Sequence, residues 1–462
     1  MRSLICGLAL LVCLLASLSV QAQINFEPAT TVQLPVFGVS VDADGVLQHI
    51  QFAPAGGQLF VERARAAIAK MDQDLVRSSK LRKISLKRLQ ETIKQHLDQQ
   101  TPLPDEILKL AGLQRIEYVF AYPDQKDIVI AGPAEGWLEN SDGRAVSINS
   151  GRAVVLLEDL VTALRIFSTN EAVNNWVGCT IGSTPEGRRR LSELQREIPR
   201  RIETQYKAEF ARTIIPAIEE ALGNASVAVF GIPEGSNMAN VMLEADYRMK
   251  LIAIGREPPP VRMPTFMEKL RGAPKDNFQR WWFTPNYQCV AKTGDGLGFQ
   301  MVGQGVRLGT EEYKQDGKGG VIAVPHKPMR AARLYAESFT EKYEEIAVAS
   351  AVFGQLRNMV DLLIVANYMQ REDLLRQTEL DLSLLLDNDR LPADTRPVPT
   401  AAKCLANAAW KSTKLVAPSG GVSVLPAEAL RISNLLDASK YNIAENRDQA
   451  LSKADQNHWW WD

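Results

Sequence analysis

ASVAVFGIPEGSNMANVMLEADYRMKLIAIG, residues 225–255, holds a strand and a helix in one run. Ala225 to Phe230 is a short apolar, β-branched stretch ended by Gly231 and Pro233, the pattern of a buried strand. Ser236 or Asn237 then caps a helix on which Met238, Val241, Met242, Ala245, Met249 and Ile252 share one face. On that helix Glu244 precedes Arg248 by four residues and Asp246 precedes Lys250 by four, two acid-to-base pairs. After a proline-rich break comes FQRWWFTPNYQCVAKTGDGLGFQMVGQGVRLG, residues 278–309, a long β-rich segment. The pattern predicts an α+β protein: a mixed β-sheet core with flanking helices and a helical C-terminal segment.

To the N-terminal side, Val36–Ile50 carries two alternating runs around Asp42-Ala43-Asp44-Gly45, a β-hairpin signal with Gly45 at the turn position that needs positive φ. A calcium loop also begins D-x-D-G, but its remaining ligands and distal glutamate are missing here. Residues 59–76 and 85–97 have helical periodicity, and a third short helix starts at Pro102 and Pro104. Residues 116–122 and 127–131 alternate around Pro123-Asp124 as a second hairpin. Residues 153–167 fit a strand or a helix, and residues 176–181 a short strand. Thr184 and Pro185 cap a long basic helix that Pro199 kinks or divides. Met329 to Leu386 is helical almost throughout, and the proline- and alanine-rich remainder reads as an irregular, loosely packed extension ending in Trp459-Trp460-Trp461-Asp462.

The division this implies is 1–22 signal peptide, 23–115 hairpin and helical region, 116–328 α+β core, 329–386 helical segment and 387–462 extension. The first segment has a basic start at Arg2, an apolar core from Leu4 to Ala16 and the small-residue site Val20-Gln21-Ala22. The core is too short to span a membrane. Cleavage after Ala22 predicts an exported protein, periplasmic or secreted, with no membrane span remaining. It leaves 52 basic and 54 acidic residues, a balance that argues against nucleic-acid binding. Only Cys179, Cys289 and Cys404 then remain, so at most one disulfide forms and disulfides are not the scaffold.

The strings NWVGCTIGSTPEG, LEADYRMKLIAIG, QRWWFTPNY and FGQLRNMVDLLIVA resemble a family of exported proteins from planctomycete bacteria, known only as a domain of unknown function. The resemblance runs over roughly Val36 to Met369. It implies an envelope or secreted location and carries no catalytic residues with it.

Three groups of residues are candidate sites. Cys179, between a strand and a helix N-terminus, has the setting of a thiol activated by the helix dipole, with His326 as the base it would need; the alternative is a buried or bridged cysteine. The carboxylates Glu244 and Asp246 could act as acid and base, but they point in different directions and each has its own cation, so surface ion pairing accounts for them. Trp281, Trp282 and Tyr287 offer aromatic faces of the kind that bind sugar rings; the alternative is that one tryptophan points into the core and the other covers a neighbouring element. No metal-ligand spacing and no cofactor motif is present: Gly294-Asp295-Gly296 and Gly317-Lys318-Gly319-Gly320 read as hairpin turns. The sequence leaves enzyme or non-enzyme open. It favours a non-catalytic binding or structural protein of the cell envelope, with an envelope polymer or a protein as partner. The alternatives are a thiol-dependent hydrolase or transferase using Cys179, and an assembly module pairing through the 329–386 helices.

Overall fold

The computed structural model of the protein describes residues 36–52, 57–198, 203–271, 278–315, 321–323, 328–404, 406–408, 415–452 and 458–462. Helix Asn237–Ala253 lies at its centre, capped by Ser236, whose Oγ accepts from the Ala239 N–H at 3.2 Å. One side of this helix packs on a large sheet and the other on helix Ala351–Arg371. It is therefore enclosed on all sides, and every residue of it except Asn240 is buried. Helix Ala351–Arg371 is enclosed as well, with residues 351–369 all buried. No single helix among the described residues is long and apolar enough to cross a membrane.

Among the described residues the large sheet has ten strands. Nine run in the order Val36–Val41, Val46–Phe52, Ala401–Lys403, Asn224–Phe230, Val177–Gly182, Leu415–Val424, Phe278–Pro285, Val306–Gln315, Val321–Ala323, and Asn407–Ala408 pairs beside Leu415–Val424. Pairing is antiparallel except where Phe278–Pro285 meets Leu415–Val424 and Ala401–Lys403 meets Val46–Phe52. A second sheet of six strands contains the hairpin Tyr118–Tyr122 with Asp127–Ala134, flanked by Gly298–Met301 and Ser79–Ser85. The fold is α+β with mixed sheets and several helices.

Both predicted hairpins form, and Gly45 turns the first at φ 77°. Residues 157–166 resolve the strand-or-helix ambiguity as a helix. The basic stretch Ser79–Ser85, passed over between two helices, is a strand, because Arg82 and Lys83 are neutralised inside the fold instead of facing water: the buried Arg82 guanidinium reaches Asp462 at 2.8 and 3.0 Å.

The largest departure is the C-terminal part. Leu415–Val424 is an interior strand of the large sheet, and Trp460–Trp461 pairs with Ser79–Ser85. The Pro418-Ser419-Gly420-Gly421 run lies inside this strand, and its glycines are there for close approach between strands. A Cβ on Gly420 would sit 1.8 Å from the Trp281 carbonyl oxygen, and one on Gly421 2.0 Å from that of Cys179. The terminal tryptophans are likewise inside: Trp459 and Trp461 are buried, and Arg82 stacks on Trp460 at 4.5 Å.

Candidate ligand-binding face

Strands of the large sheet alternate one side chain toward helix Asn237–Ala253 and one away from it. Toward the helix go Cys179, Ile181, Trp281, Phe283 and Val422, all buried. Away from it the same strands carry small residues. Gly178, Thr180 and Gly182 lie on one strand, Ser419, Gly421 and Ser423 on the next, and Gly309 beyond, with Thr180 opposite Gly421 and Gly421 opposite Trp282. The result is a low floor with aromatic rings set on it. Trp282 rests over Gly421, where an added Cβ would come 2.6 Å from its ring, and Arg280 stacks on the same indole at 3.9 Å. Trp176 is 55% exposed, leans on Phe230 with ring centres 5.1 Å apart, and donates its indole N–H to Ser423 Oγ at 3.0 Å. Ser423 and Gly421 are two residues apart on one strand, so the two indoles are anchored roughly 7 Å apart along it.

The predicted aromatic group is therefore divided. Trp281 is fully buried, edge-on to Phe266 at 5.3 Å and Tyr335 at 5.5 Å, with its N–H directed to the Ala332 carbonyl. Tyr287 lies beyond the end of the strand, partly buried against the core. Of the three only Trp282 belongs to the outer face. Trp176, Thr180 and the glycines were missed as site residues, although Gly178, Thr180 and Gly182 at every second position are a legible signal of a strand with one bare side.

Cys179 takes the buried alternative. It lies within strand Val177–Gly182 and not at the helix N-terminus, its side chain faces Asp246 and Lys250, and it is completely buried. Burial pushes its thiol far above the ordinary range, and the nearby Asp246 carboxylate adds to the effect. The two features a reactive thiolate needs, an electropositive setting and access, are both missing. Cys289 and Cys404 are also free and buried. His326 lies outside the described residues.

Glu244 and Asp246 form the predicted pairs, but inside the molecule and not on its surface. Asp246 is fully buried and meets Lys250 Nζ at 2.6 Å, and that ammonium also donates to the Ile181 carbonyl at 2.6 Å. Burial raises the Asp246 carboxyl to about 6 against the opposing pull of Lys250, and lowers the Lys250 ammonium. On the other side Arg248 meets Glu257 at 2.8 Å and Glu244 at 3.5 Å, Glu257 meets His49 at 3.1 Å, and Glu244 meets Arg144 at 2.6 Å. Near the helix N-terminus Asn237 donates to Asp159 at 3.0 and 3.2 Å. Burial, reinforced by Glu158, raises the Asp159 carboxyl to about 8, so it is largely protonated at neutral pH. Among the described residues no group of three or more His, Cys, Asp or Glu could hold a metal ion.

Residues 179–266 match the model of a family described as Protein of unknown function (DUF1598). The match begins within strand Val177–Gly182 and covers strand Asn224–Phe230 and the central helix. Neither the curated proteins nor the solved structures give a match to this chain.

Proposed function

We propose that this is an exported, non-catalytic binding protein of the bacterial cell envelope, of planctomycete type, whose ligand is an envelope polymer built of sugar rings. The observation that carries the reading is the outer face of the large sheet, where Trp176 and Trp282 are fixed over a floor of glycine, serine and threonine. A flat ring stacks on the exposed Trp176 indole, Trp282 with the Arg280 guanidinium laid on its ring bounds the floor, and the surrounding hydroxyls supply hydrogen bonds to the sugar's substituents. The signal-peptide pattern from Arg2 to Ala22 supports the location. A non-catalytic role fits the sealed Cys179 and the ion-paired Glu244 and Asp246.

The test is co-sedimentation of the mature protein with insoluble envelope material from its host, comparing wild type, Trp176→Ala and Trp282→Ala. Each variant is expected to bind roughly tenfold more weakly, about 1.4 kcal/mol, with unchanged circular dichroism. Wild type that stays in the supernatant, or variants that sediment as wild type does, would overturn the reading.

A further inference from the structure

Beside the N-terminal half of helix Asn237–Ala253, against the first two strands of the large sheet, there is a cleft of about 540 Å³, within the range of small-molecule sites. Its walls come from the loop around Gly143, the N-terminal half of the helix, Gln355 and residues 394–397. Five carboxylates and three cations line it, a net charge of −2. The cations are all engaged. Arg144 meets Glu244 at 2.6 Å, Arg396 meets both oxygens of Glu158 at 2.6 and 2.8 Å, and Lys109 bonds Asp105 at 2.9 Å. Of the remaining lining carboxylates, Asp142 shares Arg144 with Glu244 through a 3.4 Å contact, and Glu139 and Asp394 form no ion pair among the described residues.

Asp142 says what is wanted there. Its side chain is only 7% exposed, and its Oδ1 has no hydrogen-bond partner among the described residues. A buried carboxylate oxygen without a donor destabilises the fold unless something supplies one. The neighbouring Arg144 Nε also makes no hydrogen bond, but a small closing of its 3.4 Å contact with Asp142 Oδ2 satisfies it and leaves Oδ1 unserved. The site therefore calls for a donor carrying positive charge, and the described residues offer no cluster of metal ligands to make that charge a metal ion.

We infer that the cleft binds a compact organic ammonium ion, with its N–H groups on Asp142 and the adjoining carboxylates. This site is separate from the aromatic face, and its test does not depend on envelope binding. The measurement is calorimetric titration of the mature protein with 1,4-diaminobutane, with sodium acetate and calcium chloride as controls. The expected result is saturable binding of the diamine, at least tenfold weaker in Asp142→Asn and about threefold weaker in Asp394→Asn at the exposed rim, with no binding of acetate or calcium. Asp394→Asn serves as the test if Asp142→Asn does not fold. Equal affinity in the folded variants, no heat at millimolar diamine, or calcium competing for the site would each overturn the inference.

Discussion

Helix Asn237–Ala253 carries one sequence device twice, an acid followed four residues on by a base, and the two copies meet different surroundings. Asp246 and Lys250 are pressed under the large sheet, where the ammonium finds the carboxylate and one carbonyl, and Asp246 Oδ1 finds no hydrogen-bond partner among the described residues. Glu244 and Arg248 face the loop around Gly143 and belong to a chain of charges running Asp142, Arg144, Glu244, Arg248, Glu257, His49. The first is a sealed pair with each member dependent on the other; the second spreads its charge over several partners and opens on a cleft. Spacing in the sequence creates the pair, and what stands opposite it sets its energetic role.

The difference is broken most severely by removing one member of the sealed pair. Lys250→Met leaves a buried carboxylate beside Cys179, and chemical denaturation should show a loss of about 3–5 kcal/mol. Adding Asp246→Leu to the same chain should recover most of it, because the lone charge goes with its partner. The networked side responds less. In Glu244→Gln, Arg248 retains Glu257, and the expected loss is about 1–2 kcal/mol.

A third group at the same helix sharpens the contrast through pH. Asp159 keeps its proton in the folded protein up to about pH 8, whereas the unfolded chain releases it near its ordinary value of 3.8. The folded state thus holds one more proton across that window, so this group's contribution falls as pH rises from about 4 to 8 and is flat above it. In Asp159→Asn the melting temperature should decline less between pH 5 and 8 than in wild type. The smallest effect is a null one. Cys179 should resist a thiol reagent in the folded wild type and react only after denaturation, and native labelling at that position would show that the sheet side of the helix opens to solvent.

How much of this was legible depended on how local its cause is. The helix, its cap and its two ion pairs follow from residues within five positions of one another, and all of them form. The surroundings of those pairs are set by strands and loops far along the chain, so a surface role was the natural reading of a helix that is in fact enclosed. Trp281 and Trp282 show the same limit. Strand alternation separates one from the other, but Trp282 gains its floor only through Gly421, and the exposed indole beside it comes from Trp176, just ahead of a different strand. The C-terminal strand was misread because glycine and proline are turn residues by local rule, while here Gly420 and Gly421 admit neighbouring backbones too close for any side chain.

The place of Leu415–Val424 between Val177–Gly182 and Phe278–Pro285 also fixes an order of events. Until that segment arrives, the strands on either side of it have no partner on their facing edges, and such edges invite pairing with other chains. Joining segments so distant in the chain is slow, so the half-built sheet is the species most exposed to aggregation during folding. The aromatic face does not exist before this step, since Thr180 and Trp282 become neighbours across Gly421 only when the strand slots in. The aromatic face is therefore a property of the finished fold, and a chain that has not closed the sheet does not carry it.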